Sequence, residues 1–428
     1  MAVDDPGSTQ QVRLSFEGLP QRSAPLSWSQ LYMWDFLSRM RPHDGQYTVC
    51  LETEVGQPVA VDDGLRIVGE LIADHEALRT SYRPDETGLP RQYVAGNGQS
   101  DVYVLQESAA DAWLAAQRER RFGTSGPPVD FALVQAGGTI SRVAVIASHL
   151  AVDGWSAAVL RRQLRKRLAG RSCRTQEATV QPVDQSDWEA TPAGQEANQA
   201  GLELWRRTIA EVPPGQLSPA ALDSRPRYRQ ARVSSYAAGS ALLGLARRHR
   251  TVPSAVLLAA YSQAVATTLG QRHPAFWVVV HNRFAPELQE SVGCYFRETL
   301  VCLDTETRRT GDQITAAASA LLQAFRRSHT NPRQVTELLL DHDRASYFDV
   351  ARAFYYNFTV RSGAAGPPVE QPDPEWVGAK EFDGQVMHLN ADLKGDQLTI
   401  RLMADTWCVP AQQIERILSS CLDYLRAG

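Results

Sequence analysis

The sequence predicts an α+β fold built in two halves, and three observations carry that prediction. Short β-branched runs alternate with amphipathic helical stretches along the chain. Gly137-Gly138 joins two apolar runs in the manner of a hairpin. The second half repeats the order of elements of the first, with no short tandem repeat in the residues themselves. At 428 residues the chain exceeds one ordinary core, so two domains are expected. The expected limits are a loose tail over 1–17, a first subdomain over 18–170, a connector over 171–227 and a second subdomain over 228–428.

Each element has a local reason. From Pro25 a helical pattern runs through Leu26, Leu31, Trp34 and Leu37, with Ser27 as its cap. Tyr47 to Glu54 alternates as a strand, and Val61 to His75 is an amphipathic helix. A strand begins at Leu78 and meets a turn at Pro84 to Gly88. Gln92–Val94 and Val102–Leu105 are short strands, and Ala109 to Arg121 is helical. Val129–Gln135 and Arg142–Ala147 form the pair across the two glycines, and a helix then ends at Gly170. Residues 171–227 are rich in Pro, Gln, Ser and Glu, with helical runs around Trp188 and Trp205. In the second half, helices are expected over Ala238–His249, Pro253–Leu269, Ile314–Arg327 and Pro410–Arg426. Strands are expected over Phe276–Val280, Thr299–Leu303, Tyr347–Val360 and Leu398–Met403, with a Gly- and Pro-rich loop over Arg361–Glu375.

Composition narrows the function. The residues are 43% hydrophobic and 21% charged, ordinary for a globular protein. A net charge of -4, with no basic block interleaved with aromatics, argues against nucleic-acid binding. The most basic run, Arg161 to Arg167, reads as a solvated helix face or a docking surface for an acidic partner. Cys50, Cys173, Cys294, Cys302, Cys408 and Cys421 are scattered without metal-ligand spacing and read as buried free thiols. Residues 1–8 hold no apolar signal core, and no run approaches the ~20 apolar residues of a membrane helix. The expectation is a cytoplasmic monomer with no membrane partner and no metal.

Chemistry concentrates between Ser141 and Ser156. A strand ends at Ala147, His149 and Asp153 follow, and Ser156 is placed to cap the next helix. Such a mount suits a catalytic side chain; the same residues also suit a packed core histidine beside a turn aspartate. Phosphate-binding loops, HExxH and GxSxG are all missing from the sequence, so an enzymatic substrate would arrive already activated.

The His149 stretch resembles the HHxxxDG core of nonribosomal peptide synthetase condensation domains and related chloramphenicol-acetyltransferase-like acyltransferases. Further segments resemble that family in order: Pro25 to Gln30 with Trp34, Asp74 to Tyr82, Asp184 with Trp188 and Trp205-Arg206. Asn282-Arg283 with Glu287-Leu288 and Val292 to Tyr295 resembles GRxxxEL…IGxFVNT, and the terminal strand and helix follow. Ser148 stands where the first histidine is expected, Asp74 where an arginine is, and Arg297 near an asparagine. The resulting SHxxxDGxS also resembles the macrocyclising terminal domains of fungi.

The resemblance implies two acetyltransferase-like subdomains in a V-shaped pseudo-dimer with a tunnel at their interface. It implies transfer of an acyl or aminoacyl thioester from a carrier protein to an amine or hydroxyl. The chain would need no cofactor of its own, since the carrier brings the phosphopantetheine arm. Partners would be carrier proteins in trans and a small amine or alcohol, or a second carrier-bound substrate, with the chain free-standing. His149 would be catalytic, because a neutral imidazole of ordinary pKa about 6.5 can accept or orient a proton near neutral pH. Holding thioester and nucleophile together can itself contribute roughly 7–11 kcal/mol. Asp153 would pair with Arg283, which alone reads as a surface arginine before Pro286. Gly154 would permit the turn and close approach of the arm, Ser148 would support the site, and Asn357 and Ser156 would contact substrate. A catalytically silent platform that recruits tailoring enzymes, and a coenzyme A-dependent acyltransferase, are the alternatives.

Overall fold

The computed structural model describes residues 9–124, 126–171, 179–212, 225–306, 309–341, 354–361 and 367–428. The chain divides into two compact units, Met1–Glu196 with His281–Phe296, and Ala197–Val280 with Arg297–Gly428. These limits differ from the expected ones. The stretch 281–296, deep in the second half of the sequence, belongs with the first unit. So does the start of the expected connector.

The first unit runs β1 (Thr9–Phe16), β2 (Arg22–Pro25), α1 (Trp28–Met40), β3 (Val49–Glu54), α2 (Val61–Asp74), β4 (Thr80–Pro84), β5 (Pro90–Val94), β6 (Gly98–Gln106) and α3 (Glu107–Gln117). It continues with β7 (Val129–Ala136), β8 (Thr139–Ala147), α4 (Gly154–Leu168) and α5 (Pro182–Glu189), and the division falls inside α6 (Pro192–Glu211). A five-stranded sheet has the order β1-β6-β7-β8-β3, with β6 and β7 parallel, and β2-β5-β4 forms a small second sheet. The start of β7 is buried on both faces, from Val129 to Val134, so its residues do not alternate. Helix α3 covers one face through Ala110 and Leu114, packed with Leu105, Ala132, Val134, Ala144 and Ile146. Helix α2 approaches closely at Gly64, where a Cβ would stand 2.2 Å from Ile140 Cδ1.

One correction falls at the start of the chain. Thr9–Phe16 was expected within a loose tail, and it is a strand paired with Gly98–Leu105 of β6. Val12, Leu14 and Phe16 alternate with polar residues, the period of an edge strand with one covered face.

The second unit continues with β9 (Tyr228–Ser235), α7 (Tyr236–Arg248), α8 (Pro253–Leu269), β10 (Ala275–Val280), β11 (Arg297–Cys302), α9 (Thr310–Arg326) and α10 (Pro332–Asp341). Then come β12 (Phe354–Val360), β13 (Gln371–Lys380), β14 (Met387–Lys394), β15 (Gln397–Asp405) and α11 (Ala411–Ala427). Their seven-stranded sheet has the order β11-β10-β12-β14-β15-β9-β13. Helix α8 is buried almost continuously from Ala255 to Val265, which explains its lack of a polar face. Strand β13 takes in the last residues of the expected loop, Gln371–Glu375, while 362–366 lie outside the described residues. Its Pro372 and Pro374 are tolerated because β13 is the sheet's edge, where missing donors cost little. The expected strand over Tyr347–Val360 is described only from Phe354, and its earlier residues lie outside the described ones.

Among the described residues no single helix is long and apolar enough to cross a membrane. Five cysteines are free thiols, of which Cys294 and Cys421 are buried, as expected. Cys50 is exposed instead, on β3 next to the half-buried Val49, and Cys173 lies outside the described residues.

Candidate active site

Strand β8 ends at Ala147 and the chain turns at once. The Ser148 N–H donates to Pro128 O at 2.8 Å, and the Ser148 carbonyl accepts from Ala151 and Val152 at 2.9 and 3.1 Å. These bonds hold the turn that carries His149. The imidazole is half-buried and packs against the Phe296 ring, centroids 5.2 Å apart. Its buried Nδ1 meets no hydrogen-bond partner on another described residue. Burial holds the His149 pKa below its ordinary value, partly offset by the Asp153 charge, so the ring is neutral at pH 7. His149, Ser148 and Leu150 line a cleft, with Trp34, Tyr47 and Phe122 among its walls.

Asp153 is the N-cap of α4, and its Oδ1 accepts from Ser156 N–H at 2.8 Å. Ser156, expected as the cap, sits one turn inside. The reason is that Asp153 reaches the orphan amide and Ser156 has other partners. Its hydroxyl donates to Gly293 O at 2.7 Å and accepts from Arg283 Nη2 at 2.7 Å and Gly293 N–H at 3.0 Å. That hydroxyl is fully buried and fully bonded, so the expected substrate contact through Ser156 is corrected to a brace for Arg283.

Arg283 forks onto the same carboxylate. Its Nη1 donates to Asp153 Oδ2 at 2.8 Å and its Nη2 to Oδ1 at 3.0 Å. The backbone N–H groups of Tyr295 and Phe296 add bonds to Oδ2 at 2.9 and 3.2 Å. Arg283 is 0% exposed and Asp153 1%, far from the surface arginine the isolated residue suggested. Burial pushes the carboxyl pKa up, but the Arg283 charge and these donors outweigh it and hold it below the ordinary value. The guanidinium also lies over the Tyr295 ring, 4.6 Å from its centroid. Asn282, where the resembling segment has glycine, has φ 57°, a left-handed conformation that asparagine tolerates better than most residues.

Gly154 opens α4 outside the left-handed region, so the turn does not require glycine; a Cβ there would meet nothing within 4 Å. Ser148 turns its Oγ back to accept the Leu150 N–H at 3.3 Å. Asn357 lies in the second unit on β12, where its Nδ2 donates to Asn390 Oδ1 at 3.1 Å. His75 is buried and bonded through Nε2 to Gln163 at 2.8 Å, a structural role. Sequence reasoning missed the Gly293, Tyr295 and Phe296 backbone groups, since backbone donors leave no trace in residue identity. It also missed the stacking of Trp155 on His281, centroids 4.7 Å apart.

The condensation-domain family model matches residues 20–371, and the chain belongs to that family. Phosphinothricin tripeptide synthetase PhsC of Streptomyces viridochromogenes is 27% identical over 296 residues, covering 64% of this chain and 27% of that protein. The chain therefore spans about a quarter of that relative's length. Among solved structures, the condensation domain of the monacolin K polyketide synthase MokA matches with a TM-score of 0.76 at 14% identity, covering 95% of this chain and 97% of that one. The X-domain from teicoplanin biosynthesis matches with a TM-score of 0.71 at 16% identity, covering 94% of each chain. The fold is the chloramphenicol-acetyltransferase-like α+β fold of these domains, as expected from the motifs.

Proposed function

We propose that the chain transfers an acyl or aminoacyl group from a carrier-bound thioester to an amine or hydroxyl, with His149 handling the proton. The observation that carries this reading is the neutral, half-buried His149 at a cleft, on a turn braced from behind by Asp153 and Arg283. The carrier's phosphopantetheine arm supplies the activated carbonyl. The nucleophile's nitrogen or oxygen attacks that carbon and a tetrahedral intermediate forms. His149 takes the proton released from the nucleophile, the C–S bond breaks, and the proton passes to the departing thiolate. Asp153 keeps its charge on Arg283 throughout and fixes the turn.

Transfer is measured by intact mass of a loaded carrier, with wild type and His149→Ala. The variant is expected to lose roughly 10²–10⁴-fold in rate, the scale of one positioned acid–base group. The wild-type acid limb is expected below the ordinary histidine value of about 6.5, because the depressed pKa keeps the base neutral to lower pH. Equal rates for the two proteins would sink the assignment. A second reading, a silent platform that recruits tailoring enzymes, is favoured by Ser148 in place of the expected histidine. No transfer to any amine, together with carrier binding, would select it. Transfer from free acyl-coenzyme A without a carrier would select the coenzyme A-dependent alternative.

A further inference from the structure

The cleft beside His149 carries more positive charge than its walls need. Arg41, Arg120 and Arg121 line it, against Asp44 as the single lining carboxylate. Two of these cations are spent within the fold. Arg121 pairs with Asp44 at 2.8 Å, and Arg120 pairs with the buried Asp130 at 2.7 Å. Arg41 differs: it follows the last turn of α1, is exposed, and has no ion-pair partner among the described residues. The other walls are aromatic or neutral, with Trp34, Tyr47 and Phe122 prominent. A half-enclosed cleft with aromatic walls and one uncommitted guanidinium matches a flat chain ending in a carboxylate.

We propose that this cleft is a subsite for a carboxylate-bearing substituent of one substrate, held by Arg41. The inference rests on reading His149 as the reacting centre, since only then does the cleft face a substrate. The carboxylate belongs either to the acyl group or to the nucleophile. Arg41 at a helix C-terminal end also complements the helix dipole. That role alone predicts a small loss of stability on substitution and no preference between an acid and its amide.

The test is calorimetric binding to the full chain, with two matched pairs of probes. S-Glutaryl pantetheine against its terminal amide places the carboxylate on the acyl side. β-Alanine against β-alaninamide places it on the nucleophile. One acid is expected to bind about tenfold tighter than its amide, the scale of one charge-assisted hydrogen bond at a partly open site. Arg41→Gln is expected to remove that ratio and Arg41→Glu to invert it; the pair that responds identifies the source. Acid and amide binding alike in both pairs, or a ratio that survives Arg41→Gln, would overturn the proposal. Turnover of an acetyl-loaded carrier by wild type and His149→Ala decides the acyl-transfer reading separately, so the two fail independently.

Discussion

Asp153 and Arg283 lie 130 positions apart in sequence, and Arg283 donates two charge-assisted hydrogen bonds to the Asp153 carboxylate in a site closed to water. An ion pair so deeply buried persists because every remaining lone pair finds a donor. Here the N–H groups of Ser156, Tyr295 and Phe296 supply them. Removing one partner strands the other. Asp153→Ala and Arg283→Ala are each expected to cost about 3–5 kcal/mol in urea unfolding. The double variant should cost clearly less than their sum, because it strands no charge; simple additivity would show that the two residues do not act as a pair. Part of this was legible beforehand. A carboxylate just past a buried strand needs a cation, and the sequence showed that need. Which arginine answers it came from motif order and not from residue spacing. The hydroxyl of Ser156 was misread because a serine near a helix start looks like a cap, and only the fold shows Gly293 opposite it.

At the scale of elements, local signals worked where one face decides the structure. Helix α1 begins where Ser27 and Gln30 close a reciprocal capping box, visible as S-x-x-Q before an apolar run. Strands β9 and β14 and helix α10 went unread. Yet β14 alternates strictly, with Met387, Leu389, Ala391 and Leu393 buried. The basic run on α4 is partly spent within the fold, since Arg167 bonds Glu70 at 2.7 Å and also Asp74. That partner accounts for Asp74, one of the departures from the family pattern. Helix α7 meets the turn between β14 and β15 at Gly239, where a Cβ would lie 1.9 Å from Asp396 O. Alanine would gain about 1 kcal/mol in helix propensity. A backbone oxygen at that distance cannot yield as a side-chain tip can, so the clash outweighs the gain. Gly239→Ala is expected to lower stability by about 1–3 kcal/mol. A urea midpoint at or above wild type would show that the turn adapts freely.

The whole molecule responds to pH through titratable groups in both units. Burial lowers His388 and His329 in the second unit to about 4. Both rings are neutral when folded but take protons at about 6.5 when unfolded. Their contribution to stability is complete above pH 6.5 and is lost as pH falls toward 4. Asp130 works the other way. Burial raises it to about 6 despite Arg120, so the folded form takes up its proton first and gains stability as pH falls through that value. Burial lowers His75, His149 and His281 as well, so five histidines stand against the raised Asp130 and Glu76; the urea midpoint is expected to fall between pH 7.5 and pH 5, and His388→Gln should shrink that fall. An unchanged pH dependence in the variant would remove His388 from this account.

What the sequence determined by itself is local and periodic: the α+β class, the hairpin across Gly137-Gly138, the mount of His149 and the family. Burial on one face writes a period of two or 3.6 into the residues, and a chemical motif is read directly from their order. What only the tertiary structure decided is long-range. It carried 281–296 into the first unit, set Gly293, Tyr295 and Phe296 around Asp153, and turned the predicted tail into a paired edge strand. Such contacts depend on which distant backbone groups come to face each other, and every residue type but proline offers the same N–H and C=O, so residue identity does not encode the choice.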